Sequence, residues 1–243
     1  MQVFERGPRD ANARLLFIHG WQADHRVWDG VIAELSPKAR CVAVDLPGSG
    51  ASRDAGGPYT IERFAAGLLE VIEEHGLAPV VVVGHSMGAK IALQLAIDAP
   101  DAVTSLVLIA PVPTGPAGFS EKGIAGLRAT CGNDENARRW LSRLFAGEPD
   151  PEALQVVCEA AAATPPDAGL EALESWSTTD LTDASATVTA PVIVIAPERD
   201  NVEMQKNKVA ALLPNCRFVT VADAGHYAML EKPREIAEII GTA

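Results

Sequence analysis

Six short stretches of this chain are apolar at nearly every position and end on turn residues: RLLFIHG at 14–20, RCVAVDLPG at 40–48, PVVVVGH at 79–85, SLVLIAP at 105–111, PVIVIAP at 191–197 and RFVTVAD at 217–223. A strand with one face in water alternates apolar and polar residues, so runs without alternation predict strands of a parallel sheet covered on both sides. Between them the apolar positions change to helical spacing, in VWDGVIAELS at 27–36, TIERFAAGLLEVIEEHG at 60–76, MGAKIALQLAIDAP at 87–100 and MQKNKVAALLP at 204–214. In the second of these Thr60 offers an N-cap, Ile61, Phe64, Leu68, Val71 and Ile72 share one face, and Gly76 follows the last turn. Alternating strand and helix predicts an α/β fold with a doubly wound, mostly parallel sheet and helices on both faces.

The alternation stops between about residues 112 and 188. PVPTGPAGFSEKG opens a stretch holding the helical pieces ENARRWLSRLFAG, PEALQVVCEAAAAT and AGLEALESW, with no strand pattern before PVIVIAP. A single crossover needs far fewer residues. The expected division is a core of residues 1–111 and 188–243 and a helical lid over 112–187.

At 243 residues, 48% of them hydrophobic, the chain is long enough for one sizeable core. Its 20 lysines and arginines face 32 acidic residues, a net charge of −12. That balance removes the basic field on which nucleic-acid binding depends, so no nucleic-acid partner is expected. The first residues, MQVFERGPRD, carry charge and a proline where a signal peptide needs an apolar run, and no apolar stretch is long enough to span a bilayer. The expectation is a cytoplasmic protein without a membrane partner. Cys41, Cys131, Cys158 and Cys216 form no C-x-x-C pair and have no histidine at ligand spacing, which argues for free thiols and against a structural zinc site. A Cys131–Cys158 bridge would require an oxidising compartment that nothing else in the sequence suggests.

Residues 80–97, VVVVGHSMGAKIALQLAI, carry a strand straight into a helix with Ser86 at the junction. So abrupt a turn forces its central residue into a strained conformation with the side chain standing out, and Gly84 and Gly88 remove the collisions. Amide hydrogens at the start of the following helix favour negative charge there. Strain of this kind marks functional positions, which makes Ser86 a candidate nucleophile above the carboxyl edge of the sheet. A serine hydroxyl needs a base, and the base needs an acid to hold it.

Gly84-His85-Ser86-Met87-Gly88, set between strand and helix, resembles the nucleophile turn of the α/β-hydrolase family. DAGHYAMLEKP at 223–233 is similar to the family's A-G-H-x-x-x-x-E-x-P signature, which implies His226 as the general base. PERDNV at 197–202 follows the strand PVIVIA; the family's G-x-x-D-x-x-V spacing implies Asp200 as the acid, with Glu198 the alternative and Pro197 replacing the usual glycine. FIHGWQAD is similar to the family's H-G-x motif, which implies the main-chain amides of Trp21 and Met87 as the two oxyanion donors. Asp45-Leu46-Pro47-Gly48-Ser49-Gly50-Ala51-Ser52 matches D-x-P-G-x-G-x-S, a turn framework that supplies no catalytic residue. His19 and His85 are read as bracing residues, and His25 and His75 have no assigned part.

The resemblance implies the α/β-hydrolase fold, with the lid inserted after the sixth strand of the fold and the initial antiparallel hairpin cut to the single segment MQVFERG. It implies a serine hydrolase that cleaves a small carboxylic ester through Ser86, His226 and Asp200 by way of an acyl-enzyme, needing neither metal nor organic cofactor. Carbon–carbon hydrolases, lactonases and cofactor-free haloperoxidases share the triad and stand as alternatives. The lid residues Phe119, Trp140, Leu144, Phe145 and Trp176, with the Trp21 indole, are candidates for the wall of an acyl pocket. HGWQADHRVW and DLPGSGASR are also similar to the esterases that demethylate pimeloyl-acyl carrier protein, and Arg138, Arg139 and Arg143 offer a basic face to an acidic carrier. Against this, G-H-S-M-G-A departs from the G-W-S-L-G-G of those esterases. A nicotinamide oxidoreductase would need a third glycine where GSGASR has Arg53. A non-catalytic ligand-binding protein on a hydrolase frame has no need of an intact triad.

Overall fold

The computed structural model describes residues 1–243. One seven-stranded sheet has the order β1-β3-β2-β4-β5-β6-β7. Its strands are β1 Gln2–Arg6, β2 Arg14–Ile18, β3 Arg40–Asp45, β4 Val80–His85, β5 Val103–Ile109, β6 Val192–Pro197 and β7 Cys216–Val221. β1 runs antiparallel to β3, and every other pairing is parallel.

The helices in chain order are α1 Asp29–Leu35, α2 Ile61–Glu74, α3 Met87–Asp98, α4 Glu121–Arg128, α5 Asp134–Leu141, α6 Pro151–Ala163, α7 Pro166–Thr178, α8 Thr182–Ser185, α9 Val202–Lys208, α10 Ala228–Glu231 and α11 Pro233–Ile240.

The unalternating strands have the physical cause their sequence implied. Leu16, Ile18, Val42, Val44 and Val82 enter one core cluster, while Leu15, Phe17, Cys41, Ala43 and Val83 enter a second. Successive residues of a strand face opposite ways, so all must be apolar when helices cover both faces. α2 and α3 bury their apolar sides in the first cluster, α1 and α11 in the second. Thr60 Oγ1 accepts from the Arg63 amide at 3.3 Å and caps α2, whose Ile61, Phe64, Leu68, Val71 and Ile72 are all buried.

Several elements differ from the sequence reading. α9 begins at Val202 and ends at Lys208, and a separate short turn, Ala210–Leu212, completes the segment read as one helix. α4 forms near the opening of the insertion, where the sequence reading names no helix, and is capped by Ser120, whose Oγ accepts from the Gly123 amide at 3.2 Å. α11 was assigned no helix; it starts on Pro233, where a missing amide hydrogen costs nothing, and buries Ile236, Ala237 and Ile240.

α4 to α8 form the insertion between β5 and β6. With β1 standing in place of a hairpin, the sixth strand of the complete fold is the fifth of this chain. The insertion shares both cores, giving Leu127, Leu173 and Trp176 to the first and Ala137, Leu141, Leu154 and Val157 to the second. A buried cation also ties it to the sheet layer. Lys90 of α3, 2% exposed, donates from Nζ to the carbonyls of Gly115 at 3.0 Å, Trp176 at 2.9 Å and Thr179 at 2.7 Å. Burial lowers its pKa to about 8, against the opposing pull of Asp180 and Glu62. Carbonyl dipoles therefore replace the water that the ammonium gives up. The cysteines are free thiols, and no helix is long and apolar enough to cross a membrane.

Lys90→Met keeps the stem and removes all three donors. It is expected to lower the unfolding free energy by about 2 kcal/mol, the cost of orphaned carbonyls less the relief of a buried charge. Urea unfolding measures this, and an unchanged midpoint would show that the three bonds hold nothing.

Candidate active site

Ser86 joins β4 to α3 with no intervening loop and takes φ 55°, ψ −117°. Such a conformation costs a non-glycine residue on the order of 1–3 kcal/mol, and it persists only where the surroundings over-determine it. Here they do. A Cβ on Gly84 would overlap the Gly88 backbone, and one on Gly88 would overlap the carbonyls of Ile18 and His19. The first turn of α3 therefore lies backbone to backbone against the end of β2. The Ser86 amide donates to the Ile109 carbonyl at 3.0 Å, on the neighbouring strand. The Ser86 hydroxyl caps no helix amide and lies in the wall of a cavity.

His226 reaches the same cavity from the loop after β7. Its amide donates to the Leu144 carbonyl at 2.6 Å. The carboxylate of Glu231 accepts from the Gly225 amide at 2.7 Å and the Ala146 amide at 2.8 Å. A Cβ on Gly225 would overlap the backbone of Leu144 to Ala146. The glycine and glutamate flanking the histidine in the sequence thus have structural tasks: one admits the insertion's backbone, the other fastens it.

Asp200, on the loop after β6, accepts from His226 Nδ1 at 2.9 Å through Oδ2. Burial pushes its carboxyl up, but the His226 charge and hydrogen bond, the Asn201 amide and the Gln205 side chain outweigh burial and hold it below its ordinary value of 3.8. With Nδ1 engaged, Nε2 is the ring nitrogen left for the cavity. No hydrogen bond joins it to the Ser86 hydroxyl in this resting arrangement; such contacts commonly tighten only when substrate is present. Glu198, the alternative acid, accepts from the Asp223 amide at 3.0 Å and makes no bond to His226.

Three other histidines make bracing hydrogen bonds. His85, 1% exposed, donates from Nε2 to the His226 carbonyl at 2.9 Å, and desolvation together with the neighbouring His226 holds its pKa well below 6.5. His19 donates from Nδ1 to the Gly20 carbonyl at 2.8 Å and accepts at Nε2 from the Leu46 amide at 3.1 Å. Asp45, first residue of the D-x-P-G turn, accepts from the Ala51 amide at 2.7 Å and from the amide and ring of His25 at 2.8 and 2.9 Å. Asp24, His25 and Asp45 lie close enough to hold a cation, but Asp24 is committed to Arg26 at 2.8 Å and Asp45 to the donors just named.

The Trp21 and Met87 amides donate to no loop carbonyl or side chain. Met87 opens α3, and the Trp21 loop is held from the insertion side: Trp21 Nε1 donates to the Gly169 carbonyl at 2.8 Å, and Gln22 Oε1 accepts from Thr130 Oγ1 at 3.1 Å. Met87 follows Ser86 at the start of α3, and a Cβ on Gly20, next to Trp21, would lie 3.2 Å from the Ser86 Cβ.

The cavity, about 410 Å³, is lined by Ser86, Asp200 and His226 and walled by Trp21, Phe119, Trp140 and Trp176. Trp140 meets Trp21 edge-on with ring centres 5.8 Å apart, and Phe119 meets Trp176 likewise at 5.6 Å. No lysine or arginine lines it, and Asp200 is its one carboxylate. Phe145 was expected in this wall and is absent from it. It is 7% exposed and stacks on Tyr227 at 5.4 Å, because the backbone around it docks on Gly225 and turns the ring into the core, leaving Leu144 to face the cavity. The sequence reading missed Leu127, Met204, Gln205 and Tyr227. Only Tyr227, next to His226, and Met204 and Gln205, one turn beyond Asp200, carried a positional signal.

A parallel sheet with a serine on the strand-to-helix turn at its carboxyl edge and an Asp–His pair two loops away defines a class of hydrolases. The chain belongs to the alpha/beta hydrolase family, which matches residues 15–239. Among curated relatives it is similar to the pimeloyl-[acyl-carrier protein] methyl ester esterase of Nitrosomonas europaea, 29% identical over 243 aligned residues that cover 91% of each chain. Among solved structures it resembles a bromoperoxidase from Bacillus anthracis (TM-score 0.91, 19% identity) and an esterase from Exiguobacterium antarcticum (TM-score 0.90, 20% identity). Each covers 99% of this chain and 93% of its own, and at that identity the likeness is one of fold.

Gly225→Ala places a methyl group against main-chain atoms that cannot rotate aside. The expected loss of stability is about 1–3 kcal/mol, read as a fall in Tm, and an unaltered Tm would refute the close docking of insertion and histidine loop.

Proposed function

We propose that this protein hydrolyses small, apolar carboxylic esters through Ser86, His226 and Asp200. The observation that carries the reading is the 2.9 Å bond from His226 Nδ1 to Asp200 Oδ2 in the wall of the cavity that also holds the strained Ser86. Rotation of the serine side chain brings Oγ to Nε2. The imidazole takes the hydroxyl proton as Oγ attacks the ester carbonyl, and the charge on the carbonyl oxygen falls to the Trp21 amide on the loop after β2 and the Met87 amide at the start of α3. Collapse breaks the bond to the leaving alkoxide, which receives the proton from Nε2. Water then repeats the sequence on the acyl-enzyme, and neither metal nor organic cofactor takes part. Aromatic walls without a cation favour an uncharged acyl group. Residues 112–187 act as the lid over this cavity. The four free thiols fit a reducing compartment, and we place the enzyme in the cytoplasm.

Turnover of a short-chain aryl ester tests the reading. Ser86→Ala is expected to cut the rate by roughly 10⁴-fold or more, and Asp200→Asn by about 10³–10⁴-fold. Wild-type turnover in Ser86→Ala would defeat the proposal.

A second reading, a methyl ester carried on an acidic carrier protein, has one observation in its favour beyond the relative from Nitrosomonas. Lys122, Arg139 and Arg143 line a groove that shares Gly123, Leu127 and Trp140 with the cavity, in a chain of net charge −12. Arg139 is partly neutralised by Glu135 at 2.6 Å, and Arg138 lies outside the groove. Combining Arg139→Glu with Arg143→Glu is expected to raise KM about 10-fold or more for a carrier-linked ester alone. An equal effect on the aryl ester, or none on either, rejects this reading.

A further inference from the structure

Gln205 lines the cavity from α9 and is 1% exposed. Its Nε2 donates to Asp200 Oδ2 at 2.9 Å, the same oxygen that accepts from His226 Nδ1. The amide can face only one way, since turning it over would set its carbonyl oxygen against a carboxylate. The other end of the side chain pays for that orientation, because Gln205 Oε1 is buried and has no partner. A buried acceptor left unpaired is costly, and a methionine of equal length would avoid the cost. The backbone fixes the reach of the amide. The Gln205 amide donates to the Asn201 carbonyl at 3.0 Å, and Asn201 Oδ1 caps α9 by accepting from Met204 at 3.2 Å, so acid and amide stand at the two ends of one helical turn.

We propose that Gln205 is a positioning residue, whose amide locks the Asp200 carboxylate in the rotamer that accepts from His226 and draws off part of its negative charge. The inference rests on reading Ser86, His226 and Asp200 as a triad. Two effects follow. The imidazole is held at a fixed angle to Ser86, and its protonated form is stabilised less than by an undivided carboxylate. The titratable groups facing Asp200 are His226, on the loop after β7, and His85, at the end of β4.

The test is the rate at which a fluorophosphonate labels Ser86, followed from pH 5 to 9 in the full chain, together with kcat and KM for the aryl ester. Gln205→Met is expected to slow labelling and kcat about 10-fold with KM within about twofold, as a misdirected base does. It should also move the acidic limb of the labelling profile up by about half a pH unit, because the whole carboxylate charge then serves the imidazolium. Urea unfolding of Gln205→Met should show no loss of stability, since the unpaired carbonyl goes with the amide. Unchanged rates and limb in Gln205→Met overturn the inference, as does a fall in activity with the limb unmoved and the protein less stable, the mark of a merely structural residue. Failure of the wild type to label at Ser86 overturns the triad itself, and with it this role for Gln205.

Discussion

The structure turns on one close approach: the first turn of α3 against the end of β2, with Gly88 facing the carbonyls of Ile18 and His19. A side chain at Gly84 or Gly88 would force helix and strand apart, and Ser86 would lose the surroundings that hold it at positive φ. The same approach sets where the Trp21 loop lies, because Trp21 is only three residues beyond Ile18, the last residue of β2. Ser86, Met87 and the loop of Trp21 are therefore placed by main-chain packing, which has fewer ways to relax than side chains do.

The remaining parts are fixed to this turn through the insertion. His226 is held by the Leu144 carbonyl at its amide and by His85 at its carbonyl, the latter belonging to the strand that precedes Ser86. Trp21 is held through Gly169 of α7. The helices over the cavity thus shape its wall, and the insertion also carries the hydrogen bonds that locate His226 and the Trp21 side chain. That division explains why Phe145 packs inward: the segment around it is committed to the histidine loop, and only Leu144 is free to face the cavity.

How much of this was legible follows from the range of the interactions. Strands buried on both faces declare themselves residue by residue, and the serine turn, the H-G-W loop and the A-G-H segment are short enough to be read whole. The bond between Asp200 and His226 spans 26 positions, yet the family's spacing singles out the two residues that form it. Contacts set by tertiary packing were not legible. Nothing local in FAG tells whether Phe145 faces substrate or core, and Gln205 gains significance only once the Asp200 carboxylate lies within reach; α11, by contrast, carries its own signal in Pro233 at its start and the Ile236, Ala237 and Ile240 face.

Lys90 bears on how such a chain can change over evolutionary time. Its ammonium gathers the carbonyl of Gly115, where the insertion leaves the sheet, and that of Thr179, near where it returns. With the two ends pinned a few ångströms apart on the back of α3, the entropy of closing the excursion between them depends only weakly on its length. Within that clasp the wall helices can vary in length only so far as Leu144 and Gly169 keep the bonds that hold His226 and Trp21.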